Sequence, residues 1–572
     1  MQNFHSEVYE ATKLLNRDFY EASELLTVDS IDDSLTSVDM SKPYNTHGGV
    51  AVANYVRDGV RRILMAAPSH TLLVGSTGSG KTQSFFMPQV EFFARSEDKP
   101  SMLIMDSKHE IYREKAQLLQ EQGYKVIVLD GSRPFVSDKY NPLGLIWRSY
   151  HRAEDARNLL ENTTQPPYVF DGVDYGDDYT AWKTALVCFI NSEEDFYNSL
   201  IPVVVETLIP IPSTVRDPSW DYGSREITSL TILSMLEDSL VPSRGMTEDK
   251  FSLYNVVNVI NSRQEDCESL TEYVQLHERN SPTRRLENYV CSKAKITRDS
   301  FLMCTINHLN RAVNHSCNYL TCGNDICIED VVRNLDKPTA IFLIVDNTNE
   351  ATHMVCNMFL KQLMAELQHR GDENPKYDFH VLWDEVATSG MSVPAISTWI
   401  TTMRSRRVWF HLGVQSYQQL DALYTESVRI NISGNSKLIF CGSNDTRTLM
   451  EVSEAFGHTI GAGTSYGVAN TGDINMSLSA ANVPLVRVSD LAQLHLGEAY
   501  VRMFGQTGNK QLRTVLEPNF RCADFAHGNA TPTVDSAYLD FDIRSTFYDI
   551  DEVIRAEADD DDVNHKSHWD FF

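Results

Sequence analysis

The chain has 572 residues, 42% of them apolar and 22% charged, the balance of a soluble globular protein with a large core rather than of a disordered or fibrous chain. Asp plus Glu outnumber Lys plus Arg by 78 to 50, a formal charge of −28, which excludes a protein that coats nucleic acid with its general surface; contact with DNA must be local. Apolar runs such as Ile201 to Val205 fall far short of the roughly 18 to 20 residues that span a bilayer, and Met1 to Glu10 lacks a secretory pattern, so the ten cysteines are expected as thiols in a reducing cytoplasm.

Residues 1–45 are polar and acidic, with Ser-Asp punctuation from Asp29 to Asp39, and read as an arm or linker with little core. From about Arg61 the texture changes. A strand at Thr71 to Val74 leads into Gly75 to Thr82 and a helix from Lys81 to about Ala94. Met102 to Met105 then ends in Asp106, a helix runs to Gln122, and Val126 to Leu129 follows the turn at Gly123-Tyr124. Nearly continuous apolar strands alternating with helices predict a parallel sheet covered on both faces.

The alternation stops near Asn141-Pro142, and from about Arg148 to Leu335 the pattern is helical. It resumes with Ile341 to Val345, a helix to about His369, Phe379 to Trp383, a helix to Arg404, Val408 to Val414, and Lys437 to Phe440. The economical reading is an α/β domain of residues 46–147 and 336–530 interrupted by an all-helical domain, 148–335. Residues 531–572 read as a flexible acidic tail. From Asp535 onward it holds twelve acidic residues against Arg544, Arg555 and Lys566, and it ends in Trp569-Asp-Phe-Phe572. A solubilising tail and a docking peptide for a basic partner both fit that composition.

Gly75-Ser-Thr-Gly78-Ser79-Gly80-Lys81-Thr82 fits G-x-x-x-x-G-K-[ST] between a predicted strand and a predicted helix. Its glycines let backbone N–H groups turn inward around phosphates, Lys81 reaches the β and γ phosphates, and the Thr82 hydroxyl ligates Mg²⁺. A carboxylate at a neighbouring strand end must complete the metal shell, and Asp106 and Asp384 compete. Asp384 is followed by Glu385, an acid able to activate water once Asp384 holds the metal, whereas Asp106 is followed by Ser107 and Lys108. Asp384 and Glu385 are therefore assigned to hydrolysis. Gln415, at the end of Val408 to Val414, can sense the γ-phosphate or position water. Arg404 is by residue chemistry a surface salt-bridge partner more often than an arginine finger acting on a neighbour.

The phosphate loop, Asp106-Ser-Lys-His-Glu110, Tyr140-Asn-Pro-Leu143, Leu382-Trp-Asp-Glu-Val-Ala387, Arg404-Ser-Arg406 and Gln415-Ser-Tyr-Gln-Gln-Leu420, in this order, resemble the coupling-protein ATPases of type IV secretion and conjugation. The resemblance spans about Thr71 to Val515, with weaker similarity at Asp217-Pro-Ser-Trp220 and at Asn435 to Thr448. It implies a RecA-like P-loop ATPase domain interrupted by an all-helical domain, ATP and Mg²⁺ as cofactors, and a homo-hexamer. In that ring Arg404 completes the neighbour's site. The implied partners are DNA, bound without sequence preference and expected as single strands, a relaxase or other DNA-processing protein, and membrane channel components. The chain departs from the family at two motif glycines, replaced by His109 and Arg407. It also lacks the N-terminal membrane anchor of many relatives, which implies a cytoplasmic protein docked at the membrane through a partner. The complete hydrolytic set favours a DNA-pumping ATPase, and a nucleotide-switched receptor for protein cargo is the second reading.

Weaker signals favour ordinary packing. His308, His315, Cys317, Cys322 and Cys327 lack the paired spacing of structural zinc sites. Met354, Met358 and Met364 lie at helical spacing and read as core. The short clusters Arg61-Arg62 and Arg284-Arg285 read as solvated surface.

Overall fold

A computed structural model of the chain describes residues 25–27, 35–39, 49–212, 214, 216–261, 268–279, 281–290, 295–332, 336–346, 348–369, 377–387, 391, 393, 395–468, 474–503 and 510–558. The chain divides into two units. The first takes residues 1–126, 336–342 and 372–531, and the second takes 127–335, 343–371 and 532–572. No helix among the described residues is long and apolar enough to cross a membrane.

A ten-stranded sheet organises the first unit. Its order is Leu25–Thr27, Lys510–Val515, Glu498–Met503, Lys437–Phe440, Thr71–Val74, Val408–Val414, Phe379–Trp383, Ser101–Met105, Thr339–Ile344 and Lys125–Asp130. The chain passes between the units within the last two strands. The strands from Lys437–Phe440 to Ser101–Met105 pair in parallel. Every residue of these five strands is buried, as near-continuous apolar runs require when helices cover both faces. The register puts Val74 beside Val414 and Phe440, and Trp383 beside Leu412 and Met105. The residues that follow these strands therefore share the carboxyl edge of the sheet, where open α/β sheets bind ligands.

Residues 1–45 do more than the expected arm. Leu25–Thr27 adds a parallel edge strand to Lys510–Val515, and Thr36–Asp39 joins an antiparallel three-stranded sheet with Val60–Ala66 and Val50–Arg57. Leu35 and Val38 are buried. A three- or four-residue strand is too short to show a hydrophobic period, so the polar background hid it. Arg61 is not solvated surface either. It is buried, donating to Asn54 Oδ1 (3.0 Å), Glu517 Oε2 (2.6 Å) and Asp524 Oδ2 (3.1 Å). The segment read as a helix up to Arg404 is a turn at Asp384–Ala387, a seven-residue helix Ile396–Thr402 and a 3₁₀ turn Met403–Arg406.

Polar groups are buried in this unit with their partners. Lys115 Nζ donates to Glu91 Oε2 (2.7 Å), Asn519 Oδ1 (2.8 Å) and the Ala526 carbonyl (2.9 Å), joining the helices Met87–Arg95 and Glu110–Glu121 to the stretch after the last strand. His70, His380 and His411 are buried in the strand layer, with His380 Nδ1 2.8 Å from His411 Nε2 and the two rings stacked 5.1 Å apart.

The second unit is helical, built on Gly144–Asn162, Tyr179–Leu208, Ser219–Asp238, Leu253–Asn261 and Lys295–Leu309. It also takes the helix Glu350–His369, which the sequence reading left with the sheet. Met354, Met358 and Met364 on that helix are buried as expected, Phe359 packs on Tyr140 (5.0 Å), and Lys361 donates to Thr207 (3.0 Å).

The flexible tail is corrected up to residue 558. Tyr548, Ile550 and Val553 are buried, the Tyr548 hydroxyl donates to Asp238 Oδ2 (2.8 Å), Asn255 brackets the Thr546 carbonyl and the Tyr548 N–H, and Arg244 pairs with Glu557 (2.7 Å). Three apolar anchors among the acids suffice to hold the segment down. Burial alone would raise the Asp238 pKa, but the hydrogen bond and charge of His277, with the hydroxyls of Tyr273 and Tyr548, hold it below the usual carboxylate range. Asp559–Asp562 and the Trp569–Phe572 end lie outside the described residues.

Candidate functional site

The buried strand Thr71–Val74 delivers Gly75 to the carboxyl edge, where main-chain bonds fix the loop on both sides. Gly75 N–H donates to the Val414 carbonyl (3.0 Å), Ser76 N–H to that of Gly442 (2.8 Å), and Cys441 N–H to that of Val74 (2.9 Å). Gly78 and Gly80 have φ of +82° and +90°, a region closed to ordinary side chains, and a Cβ on Gly80 would meet Leu496 Cδ1 at 2.4 Å. The helix after the loop opens with a π turn, Thr82–Phe86, and continues as Met87–Arg95. Its positive N-terminal end faces the loop, the arrangement that holds anions.

Lys81 is only 5% exposed, and its Nζ donates to the Gly75 carbonyl at 2.6 Å. Burial lowers its pKa, and the charges of Asp384 and Glu385 oppose that shift. Thr82 Oγ1 donates to Asp384 Oδ2 at 2.5 Å, while Asp384 Oδ1 is buried without a hydrogen-bond partner. Burial pushes the Asp384 carboxyl up to about 6 against the pull of Thr82 and Lys81. A hydroxyl beside an orphaned, buried carboxylate oxygen is a donor set that fits Mg²⁺, a hard cation with oxygen ligands. Gly413 makes the approach possible, because a Cβ there would lie 2.1 Å from the Asp384 carbonyl oxygen.

The structure also separates the two competing acids. Asp106 accepts N–H bonds from Lys108 (3.4 Å), Glu110 (3.1 Å) and Tyr112 (2.8 Å), so its carboxylate closes the first turn of Glu110–Glu121. Burial raises its pKa and these bonds oppose the rise. His109, at a family glycine, holds φ of +59°, and Arg407, at the other, holds +57°. Both substitutions therefore keep a backbone conformation natural to glycine.

Glu385 receives Lys108 Nζ at 3.1 Å. The loop, Lys108, Glu110, Glu385, Leu496 and Phe520 surround a cleft of about 270 Å³. Gln415 directly follows Val414, whose carbonyl holds Gly75, and its Oε1 accepts from Gln419 Nε2 (3.3 Å). The structure thus brings together Gly75, Gly78, Ser79, Gly80, Lys81, Thr82, Asp384 and Glu385, with Gln415 on the adjoining strand end.

Arg404 is not part of this cluster. It is exposed at the amino end of Val408–Val414, a strand about 20 Å long at ~3.3 Å per residue, and its charge is felt by His70 and Lys437 at that same edge. Arg407 is committed to Asp378.

Sequence reasoning missed Lys108, Leu496 and Phe520. Lys108 had a signal in its place two residues after a strand-end acid; the other two had none. Of the zinc candidates, Cys317 is buried with its thiol pushed up to about 12, and His308 lies 2.9 Å from Asp221 in a group with Cys304 whose donor atoms are within 4.8 Å of one another.

Residues 13–511 match the profile of the family described as Type IV secretory system conjugative DNA transfer. Among solved structures, the plasmid coupling protein TrwB in complex with the non-hydrolysable ATP analogue ADPNP aligns with a TM-score of 0.55 at 14% identity, covering 90% of this chain and 97% of that one. The bacterial conjugative coupling protein TrwBdeltaN70, in an unbound monoclinic form, gives 0.54 at 14% identity, covering 89% and 100%. TrwB in complex with ADP and Mg²⁺ gives 0.51 at 14% identity, covering 81% and 87%. At such identity these likenesses establish the fold alone, a RecA-like α/β domain with a helical unit. No curated protein sequence matches the chain significantly.

Proposed function

The chain belongs to the type IV secretory system conjugative DNA transfer family, and we propose that it binds ATP with Mg²⁺ at Gly75–Thr82 and hydrolyses it to deliver a DNA–protein substrate to a membrane channel. The observation that carries this reading is the pairing of Thr82 with Asp384 beside an orphaned carboxylate oxygen, with Glu385 at the mouth of the same cleft. The TrwB complexes with ADP and Mg²⁺ and with ADPNP support it.

Thr82 and Asp384 would hold the Mg²⁺, which when bound neutralises charge on the β and γ phosphates. The loop N–H groups and the helix end bind the phosphate chain, and Lys81 exchanges the Gly75 carbonyl for a phosphate oxygen. Glu385 accepts a proton from the attacking water, and Gln415 orients that water from the adjoining strand end. Leu496 and Phe520 give the cleft an apolar wall suited to a purine. Arg404, about a strand length from its own loop, acts on a neighbouring copy, so the site is completed between subunits of a homo-hexamer. Relaxase and channel proteins are the partners such a motor needs, and a membrane partner would anchor it at the inner face of the cell membrane.

The test is ATP hydrolysis against protein concentration, with and without single- and double-stranded DNA, for the wild type, Glu385→Gln and Arg404→Ala. A rate per subunit that rises with concentration and DNA and is lost in both variants is expected. A rate indifferent to DNA, with full activity in Arg404→Ala, would instead support a nucleotide-switched receptor for protein cargo.

A further inference from the structure

We propose that the helical unit carries a binding site for single-stranded nucleic acid, formed by the cleft lined by Arg279, Arg284, Arg285, Glu287 and Asn288 together with the aromatic row Tyr289, Phe301 and Trp220 that begins at the residue after Asn288. This rests on the DNA-transfer reading only for the presence of DNA; the site itself stands on the following geometry.

The cleft has a volume of about 740 Å³, and three guanidinium groups line it in a chain whose formal charge is −28. Their backbone is fixed. Arg284 and Arg285 stand on the short turn Pro282–Leu286, whose Thr283 and Leu286 side chains are buried. Arg284 is held by Glu287 (3.0 Å) and by the Val274 carbonyl (3.2 Å). Arg285 is exposed and, among the described residues, bonds only the Pro282 carbonyl, at 3.4 Å. Arg279 is exposed and makes no ion pair among the described residues. Glu287 offsets one of the three charges, which leaves Arg279 and Arg285 for a ligand, and the guanidinium fork matches phosphate oxygens in pairs.

The aromatic row makes this more than an anion site. Tyr289 adjoins Asn288 in sequence, and the charge of Arg285 acts on its hydroxyl. Its ring meets Phe301 edge-on at 5.6 Å, and Phe301 packs at 4.5 Å against Trp220, which is 41% exposed. Tyr222, 58% exposed, lies on the same helix. Tyr289 and Phe301 are half-buried, and the exposed rings are those of Trp220 and Tyr222; cations for the backbone near exposed rings for the bases are the pairing by which proteins hold single strands without reading sequence. A duplex keeps its base faces stacked inside and cannot use the row.

The experiment uses the full chain and a fluorescently labelled oligo-dT, titrated over a range of salt, with poly-glutamate as competitor. Wild type is compared with Arg279→Gln/Arg285→Gln and with Trp220→Leu; intact ATP hydrolysis without DNA checks that each variant is folded. Affinity is expected to fall roughly tenfold or more in the double variant, as for loss of charge-assisted phosphate contacts. The slope of log K against log salt should fall in magnitude by about 1.4, at ~0.7 per single-strand phosphate. Trp220→Leu should weaken binding while leaving that slope unchanged. Equal affinity and slope in the wild type and the double variant would overturn the site and leave the DNA-transfer reading standing. Absence of any oligo-dT binding by the wild type would overturn both. Displacement by poly-glutamate ahead of competing oligo-dT would mark the cleft as a site for acidic protein and overturn the proposal.

Discussion

Lowering the pH from 7 to 5 should cost the sheet unit, at most, several kcal/mol of its stability, through three buried histidines that its core keeps neutral. His70 Nδ1 accepts the Phe410 N–H at 3.0 Å, His380 and His411 share one hydrogen bond, and Phe93 lies 4.2 Å from the His380 ring. Burial is the largest cause in each case, lowering His70 to about 4, His411 to about 3 and His380 well below its ordinary value, with the charge of Arg404 adding to it at His70 and neighbouring histidines adding to it at His380 and His411. The unfolded chain titrates these groups near 6.5. It therefore binds protons that the folded chain refuses, so the stabilisation is complete above about 6.5 and is lost as pH falls toward the folded values. At pH 5, about 1.5 units below the unfolded value, His70 and His411 each cost roughly 2 kcal/mol, about 4 for the two, and His380 acts in the same direction. Asp384 works in the opposite direction. Its raised pKa of about 6 means that protonation favours the folded form and returns roughly 1.4 kcal/mol at pH 5. Set against the roughly 4 kcal/mol of His70 and His411, that return leaves a net loss of at least about 2 to 3 kcal/mol, compared with a typical total of ~5 to 15. Urea unfolding between pH 5 and 8, on the wild type and on His380→Leu/His411→Leu, measures it. The double variant replaces both partners of one bond and leaves His70 opposed by Asp384, so most of the pH dependence of its stability should vanish. An unchanged slope in the variant would refute the reasoning.

Three further outcomes follow from the site and its supports. Asp384→Asn should stabilise the nucleotide-free protein at pH 7.5 by up to about 3 kcal/mol, since the raised carboxyl is ionised there at a cost, and should abolish the Mg²⁺-dependent shift in melting temperature; thermal melts with and without Mg²⁺ and ADP check both. Lys108→Ala breaks the contact with Glu385 at a residue 54% exposed, so melting should move by less than about 1 kcal/mol while kcat falls about tenfold with KM little changed, and Lys108→Arg should recover part of the rate. Lys115→Met leaves buried Glu91 with Arg95 (2.7 Å) as its remaining cation and strips Asn519 and the Ala526 carbonyl of their donor, and chemical denaturation should show a loss of about 1 to 3 kcal/mol.

The phosphate loop was legible because its demands are local: glycines where φ is positive, a lysine and a threonine at fixed offsets, an apolar strand before and a helix after. Asp384 and Glu385 were legible for the same reason, as acids ending an apolar run. Glu385 beside it singled out Asp384 over Asp106 in the sequence, but what each carboxylate binds is not local. Both end strands, and only the fold shows one carboxylate spent on three N–H groups and the other facing Thr82, 302 positions earlier. Lys108 could not be paired with Glu385 from sequence, since the two lie 277 positions apart.

Other features depended on packing in the same way. The strand Leu25–Thr27, the anchoring of Tyr548 on Asp238 and the buried Arg61 each rest on a few residues in a polar stretch, too few for a period to show. His109 and Arg407 carry no sequence sign of a positive φ, yet their neighbours impose it. By itself the sequence determined the alternation of strands and helices and the loop that meets a phosphate, because residue type sets backbone preference and burial pattern over a few positions. Only the tertiary structure decided which acid faces the loop, which end of the sheet holds Arg404 and which cations stand beside exposed rings, because those depend on strand order and register that bring residues hundreds of positions apart within hydrogen-bond reach.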